Sequence, residues 1–456
     1  MFIDREEELK ALEERWKSKK AEFMVLYGRR RVGKTELINK LIEGKRGIRL
    51  LGRTESEKNH LDRFSADLAA FFKDDVLKSS PFQNWDAFFA YLAEKTKEEK
   101  IIIAIDEFPY FVDASASLPS ILQDHWDKTL RHSRLYLILC GSSITMMLEK
   151  ILGSKSPLYG RRTGQLKIEP MDFSNSRKFF RKYALKDCVY AYAILGGTPG
   201  YLMEFEDQKG ILENVQEKFL RKDRFLFQDA EFLLKEELKE PKFYFSILRA
   251  IAIGKTRIGD VINETGLQKG VVSKYLSVLI DLDLVKREVP VTEKQRHKSR
   301  KGIYLLKDYF FRFWFNFIFP HIEEIEKRHT DPLLRRIAQN LDPYTSFIFE
   351  DICRDWLWNL RLFEYEKVGK WWQNEDEIDI VAINGKEKKI LFAECKWQDD
   401  VDATELLARL QEKKSRVEWN ASQRTEYYAL FARTFKTKIR QENVFLFELK
   451  DYPARA

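Results

Sequence analysis

Cysteine is scarce in this chain, and the four present, Cys140, Cys188, Cys353 and Cys395, are far apart with no CxxC spacing. That excludes a disulfide-built scaffold and a zinc ribbon, and predicts four reduced thiols in cores. No apolar run approaches the roughly 18–20 residues that span a bilayer, so no membrane partner is expected. The opening MFIDREEELKALEERW is acidic and amphipathic and lacks the basic-then-apolar order of a secretory signal. A cytoplasmic location is the expectation. With 44% hydrophobic and 33% charged residues over 456 positions, disorder is excluded and two to four globular domains are expected. The net charge of +8 allows a polyanionic partner.

What is there begins with Phe23–Ile38, FMVLYGRRRVGKTELI. An apolar run predicts a buried strand. It breaks into Gly28-Arg29-Arg30-Arg31-Val32-Gly33-Lys34-Thr35 and resumes with helical periodicity, which is GxxxxGK[ST] in strand-loop-helix context. Glycines let the loop turn its N–H groups inward around a polyphosphate, and the following helix points its positive end at the same place. Lys34 is expected on the β/γ-phosphates and Thr35 on Mg²⁺. ATP and Mg²⁺ are therefore the expected cofactors. A second strand is expected at 48–51 and a helical stretch over 61–94. The unalternating IIIAI of Ile101–Ile105 predicts a central parallel strand covered on both faces. Asp106 and Glu107 follow at its carboxyl end, where open α/β sheets bind ligands. Asp106 suits a magnesium contact and Glu107 the base that polarises water.

LYLILC, 135–140, predicts another buried strand, with Ser142 and Ser143 equally placed beyond it to touch a γ-phosphate or cap a helix. Arg161 and Arg162 sit in a loop before a strand at 165–168, where an arginine can reach a γ-phosphate in cis or from a neighbouring subunit. Helices are expected over 171–240, interrupted by Leu195-Gly196-Gly197-Thr198-Pro199-Gly200-Tyr201. FIDREEEL at the start resembles the entry motif of AAA+ and STAND ATPases. GRRRVGKT, IDEFPYF, the GSS after the third apolar strand, PLYGRR and GGTPGYL together resemble the archaeal ATPase family, close to AAA+ and STAND proteins, over residues 1–240. The resemblance implies a P-loop core followed by a helical lid.

In the middle, amphipathic 243–253, then 258–264, a break at Gly266 and a helix over 268–279 form a helix-turn-helix pattern. Runs at 284–287 and 302–305 predict the two strands of a wing. The tip between them carries Lys294, Arg296, Lys298, Arg300 and Lys301; with Lys269 and Lys274 on the second helix these are the candidate DNA contacts. The aromatic segment Tyr304–Pro320 predicts a core helix between domains.

Asp342-Pro343 is a good helix start, predicting a helix over 344–360 that carries Glu350. Strands are expected at 362–368, 377–383 and 389–396, the last two joined by Asn384-Gly385, then a helix over 403–417 and strands at 426–432 and 444–449. In a strand Glu394 and Lys396 share a face, and Asp379 on the preceding strand can be brought to the same spot. Two carboxylates and a lysine there can hold Mg²⁺, through Asp379 and Glu394, and act on a phosphodiester. The order of elements resembles the PD-(D/E)XK nuclease superfamily. Asp379, Glu394 and Lys396 match its D…(D/E)xK, and Glu350 matches the acidic residue on its first helix. Ile378 stands where that motif has proline.

The expected fold class is α/β: an AAA+-like P-loop NTPase sheet over 1–170, a helical lid over 171–240, a winged helix over 241–310, an aromatic connector over 311–342 and a restriction-endonuclease-like α/β domain over 343–456. ATP-gated DNA cleavage is the expected activity. A STAND-like switch, whose last domain binds protein or DNA without cutting and whose copies associate, is the other expectation.

Overall fold

The computed structural model describes residues 3–238 and 240–453, and the chain divides into two compact units. The first comprises residues 1–171 with 198–200; the second comprises 172–197 with 201–456.

Strands β1 (Glu22–Tyr27), β2 (Gly47–Leu51), β3 (Ile101–Asp106), β4 (Leu135–Gly141) and β5 (Gly164–Lys167) make the sheet of the first unit, in the order β2-β3-β4-β1-β5, with every pairing parallel. Residues of β1, β3 and β4 are buried on both faces, which explains their unalternating apolar runs. One face packs on helices α1 (Glu6–Lys17) and α2 (Lys34–Ile42) through Leu12, Leu37, Ile38 and Leu41. The other packs on α3 (Glu57–Phe72), α4 (Trp85–Lys95) and α5 (Leu118–Lys128), through an aromatic cluster of Phe64, Trp85, Phe88 and Phe111. The helical stretch expected over 61–94 is thus broken. Ser56 and Asn84 supply side-chain caps that start two separate helices, and an interruption follows Phe72.

In the second unit, α6 (Leu185–Leu195) belongs with the chain's latter half. Helices α7 (Pro241–Ala252), α8 (Ile258–Thr265) and α9 (Lys269–Asp281) precede the antiparallel pair β6 (Val285–Glu288) and β7 (Ile303–Leu306). The aromatic segment differs from the single helix expected at 304–320. Tyr304 lies in β7, and helix begins only at Tyr309, capped by Asp308. Phe310, Phe311, Phe313, Trp314 and Phe315 are buried, as a core role requires.

Helix α10 runs unbroken over Asp331–Leu360 with Pro343 inside it, so Asp342-Pro343 does not start a helix. A proline removes one N–H and crowds the carbonyl four residues back, but the apolar stripe Leu341, Tyr344, Ile348, Ile352 and Trp356 buries enough surface to carry the helix through. The start falls instead at the earlier pair Asp331-Pro332, with proline in the first turn. A second sheet follows, β12-β11-β10-β9-β8, built from β8 (Lys367–Gln373), β9 (Asp376–Asn384), β10 (Lys389–Lys396), β11 (Thr425–Ala432) and β12 (Val444–Glu448), with α11 (Ala403–Lys414) between β10 and β11. β8, β9 and β10 are antiparallel neighbours; β10, β11 and β12 run parallel. β8 begins five residues later than expected. Among the described residues no helix is long and apolar enough to cross a membrane.

Candidate functional sites

The loop from Gly28 to Thr35 joins β1 to α2. Gly28 has φ +155°, and a Cβ there would lie 2.3 Å from the carbonyl oxygen of Ile168, so only glycine lets the chain leave β1 along this path. Lys34 is buried; its Nζ donates to the carbonyls of Gly28 and Arg29 at 2.9 and 2.8 Å. Burial lowers its pKa. Thr35 Oγ1 donates to Asp106 Oδ2 at 3.0 Å, joining the two expected magnesium contacts. Oxygen donors of this kind suit Mg²⁺. Arg30 reaches the Tyr110 hydroxyl at 3.4 Å.

Three residues gather around this loop: Arg5 of FIDREEEL, Gly200 of GGTPGYL, and Arg49, which no motif of the sequence marks. Arg49 on β2 donates to Asp106 Oδ2 at 3.1 Å, on the oxygen that Thr35 uses. Arg5, buried, donates to Val32 O at 3.0 Å, Glu169 O at 2.6 Å and Glu8 Oε1 at 2.9 Å, which explains the arginine of FIDREEEL. Gly200 N–H donates to Arg31 O at 3.2 Å, and a Cβ on Gly200 would stand 2.7 Å from that of Arg31. GGTPGYL therefore places its middle residues against the phosphate loop. Arg5→Ala is expected to destabilise the first unit by about 2 kcal/mol, by removing the donor to the Val32 and Glu169 carbonyls, and to weaken ATP binding; chemical unfolding and nucleotide titration read the two effects.

Glu107 lies immediately after β3 with φ +53°. Both of its carboxylate oxygens are taken by Ser142, from Oγ at 2.6 Å and from N–H at 3.1 Å. Ser143 instead caps the short helix that follows, so the two serines differ in role. Arg161 is held by Asp127 on α5, with Nη2 to Oδ2 at 3.0 Å, and by Tyr159 O in its own loop.

In the second unit, β9 and β10 carry Asp379, Glu394 and Lys396. Asp379 Oδ2 accepts from Cys395 N–H at 2.8 Å, which fixes it one residue from Glu394 across the hairpin. Its carboxylate, however, gathers with Glu350 of α10 and Glu377 of β9, ligand atoms lying within 4.8 Å of one another. Glu394 stands outside that group: Lys413 of α11 donates to its Oε1 at 2.7 Å and Lys396 to its Oε2 at 3.3 Å. The single spot expected for both carboxylates is thus two adjoining ones: Asp379 joins Glu350 and Glu377, and Glu394 is drawn to Lys413 and Lys396. Burial pushes Asp379 well above the usual carboxylate range, reinforced by Glu350 and Glu394; burial likewise raises Glu350. Burial opposes the charge on Lys396, yet Asp379 and Glu394 outweigh it and raise its pKa. Lys370, on β8, ion-pairs with Glu350 at 2.7 Å and Glu377 at 2.5 Å. Glu377, Lys370 and Lys413 escaped the sequence reading; alternation along β9 is the signal that could have found Glu377, two residues from Asp379.

Lys269 and Lys274 are exposed on α9, and Lys294, Arg296, Lys298 and Arg300 are exposed on the loop between β6 and β7. Arg287 braces that loop through Ser299 O at 2.5 Å and Arg296 O at 3.2 Å. At its base Val291 is buried and donates its N–H to Lys370 O on β8 at 2.9 Å.

A family model described as an ATPase domain predominantly from Archaea matches residues 2–205, and one described as archaeal and bacterial proteins of unknown function matches 314–415. An uncharacterized protein of Methanocaldococcus jannaschii is 36% identical over 99% of this chain and 100% of its own length. An uncharacterized ATP-binding protein of the same organism is 56% identical over 10% of this chain and 78% of its own. Among solved structures, a Walker-type ATPase of Pyrococcus abyssi superposes with a TM-score of 0.51 at 20% identity, covering 69% of this chain and 96% of that one.

Proposed function

Because the chain belongs to the archaeal family of P-loop ATPases, we propose that it uses ATP to gate the cutting of DNA at its second sheet. ATP is held by the loop from Gly28 to Thr35, with Lys34 on the β/γ-phosphates and Glu107 orienting the attacking water once Ser142 releases it. Thr35 and Asp106 would hold Mg²⁺ there. Helices α7–α9 with the β6–β7 pair act as a winged helix, and Lys269, Lys274 and the basic loop meet the phosphate backbone.

The observation that carries the nuclease reading is the union of Asp379, the Cys395 N–H and the Glu394–Lys396 pair on adjacent antiparallel strands, with Glu350 arriving from the preceding helix. Acidic oxygens gathered within 4.8 Å fit a hard divalent ion, so Glu350, Glu377 and Asp379 would hold Mg²⁺, which supplies Lewis acidity to a phosphodiester. Lys396 then places its charge where the scissile phosphate gains negative charge. One observation favours a second reading, a STAND-like switch that binds without cutting: both oxygens of Glu394 are engaged by lysines.

Incubating the whole protein with linear, circular and branched DNA, with and without ATP and Mg²⁺, separates the two. Cleavage that needs both, and falls at least about a hundredfold in Lys396→Ala, is the expected result. ATP-dependent DNA binding with no cleavage would favour the switch, and a Lys396→Ala protein that cuts like the parent would remove Lys396 from the chemistry.

A further inference from the structure

We propose that Lys370 is a resident counter-ion in the place a divalent cation takes among Glu350, Glu377 and Asp379, so that metal enters by exchange with its ammonium group. This rests on the Mg²⁺-dependent reading above and adds a step to it.

Three carboxylates gather around one seated ammonium group. Lys370 bonds Glu350 and Glu377, and among the described residues it is the cation within ion-pair distance of either. Asp379 shares the cluster, is 9% exposed and accepts from the Cys395 N–H; the cation that faces it, Lys396, is ion-paired to Glu394. A buried carboxylate whose facing cation is already shared with another carboxylate is costly to ionise, and a second positive charge inside the cluster offsets that cost. A divalent ion brings that charge and accepts oxygens from all three residues at once. The ammonium group brings one charge and reaches two of them.

Exchange is physically open. The Lys370 head rides on a flexible four-carbon stem and recovers full hydration when it leaves. Glu377 is half exposed, with 51% of its side chain accessible, so the cluster opens to water on that side. Because the ammonium must leave before the ion is fully coordinated, the apparent affinity for metal is lowered by the fraction of molecules in which Lys370 is seated. Removing its charge therefore strengthens metal binding, the reverse of what loss of an ordinary supporting residue does.

The test titrates Mn²⁺ into the nucleotide-free whole protein and follows free Mn²⁺ by electron paramagnetic resonance. Lys370→Met, which keeps the stem, is expected to bind at least about tenfold more tightly than the parent, Lys370→Arg no more tightly, and Asp379→Asn to lose this binding. In thermal unfolding Lys370→Met is expected to be less stable than the parent without metal and to gain more from Mn²⁺. If Lys370→Met binds no more tightly than the parent while Asp379→Asn still loses the ion, exchange is wrong and the metal site stands. If Asp379→Asn binds Mn²⁺ as the parent does, the cluster is not a metal site and both ideas fall. Lys370→Gln replaces Lys370→Met in the same comparison if the methionine variant does not fold.

Discussion

Lys34→Ala is expected to slow ATP hydrolysis at least about a hundredfold while leaving the thermal unfolding of the free protein nearly unchanged. The two halves of that result have separate causes. In the resting molecule the ammonium group spends its hydrogen bonds on the carbonyls of Gly28 and Arg29, at the mouth of the loop it is meant to serve. Burial lowers its pKa, so the folded chain gains little by holding the charge there. When a triphosphate enters, that charge is opposed by several negative oxygens, and the buried site makes the attraction worth far more than it is in water. Steady-state hydrolysis with ATP titrated through saturation checks it. Turnover within tenfold of the parent would mean that another cation does the work, with Arg30 and Arg49 the nearest candidates.

The largest expected loss of stability lies far along the chain, at Asp351. Its carboxylate accepts from Tyr309 Oη at 2.6 Å, pairs with Arg354 at 2.5 Å and with Lys286 of β6 at 3.4 Å, and is about one-fifth exposed. Asp351→Ala leaves Lys286 and Arg354 to share Glu288 on the seam between α10 and β6 and strips the Tyr309 hydroxyl of its acceptor, and is expected to cost about 2–4 kcal/mol in chemical unfolding of the second unit. Burial works against ionisation of Asp351, but Lys286 and Arg354, with the Tyr309 hydroxyl, outweigh it and hold its pKa well below the usual carboxylate range. A depressed folded pKa means the stabilisation is fully present above the unfolded value near pH 4 and is lost as the pH falls below it. The parent should therefore lose stability on acidification below about pH 4 more steeply than Asp351→Ala does. Parallel slopes for the two proteins would remove Asp351 from the acid response.

The parts of the molecule that could be read from the sequence are those whose residues are contiguous. The phosphate loop needs Gly28, Lys34 and Thr35 within one turn of chain, and Asp106 needs only the end of an apolar run, so local pattern reveals both. Arg49 reaches Asp106 because β2 pairs with β3, and no local pattern states which strand lies beside which. Lys413 reaches Glu394 only after α11 folds back over the sheet. Glu377 and Lys370 meet across the β8–β9 pairing, whose first strand begins five residues later than its apolar content indicates. Pro343 misled for a different reason. Its own preference for a helix start was outweighed by burial along α10, a tertiary effect that local propensity does not contain. The match to the archaeal ATPase domain ends at residue 205 and the model matched over 314–415 is of unknown function, so the chemistry of the second sheet rests on its own geometry.

The attachment of the basic loop has one more consequence. Val291 is sewn by its N–H to the backbone of Lys370, and its side chain lies against Gly369 beside it. The exposed cations begin only at Lys294. The loop is therefore a two-part object: a root whose spelling is constrained by an edge strand, and a tip that can change length and charge without disturbing the sheet. Under the proposed winged-helix reading, the phosphate contacts would be retuned by variation confined to about ten residues, between Thr292 and Lys301.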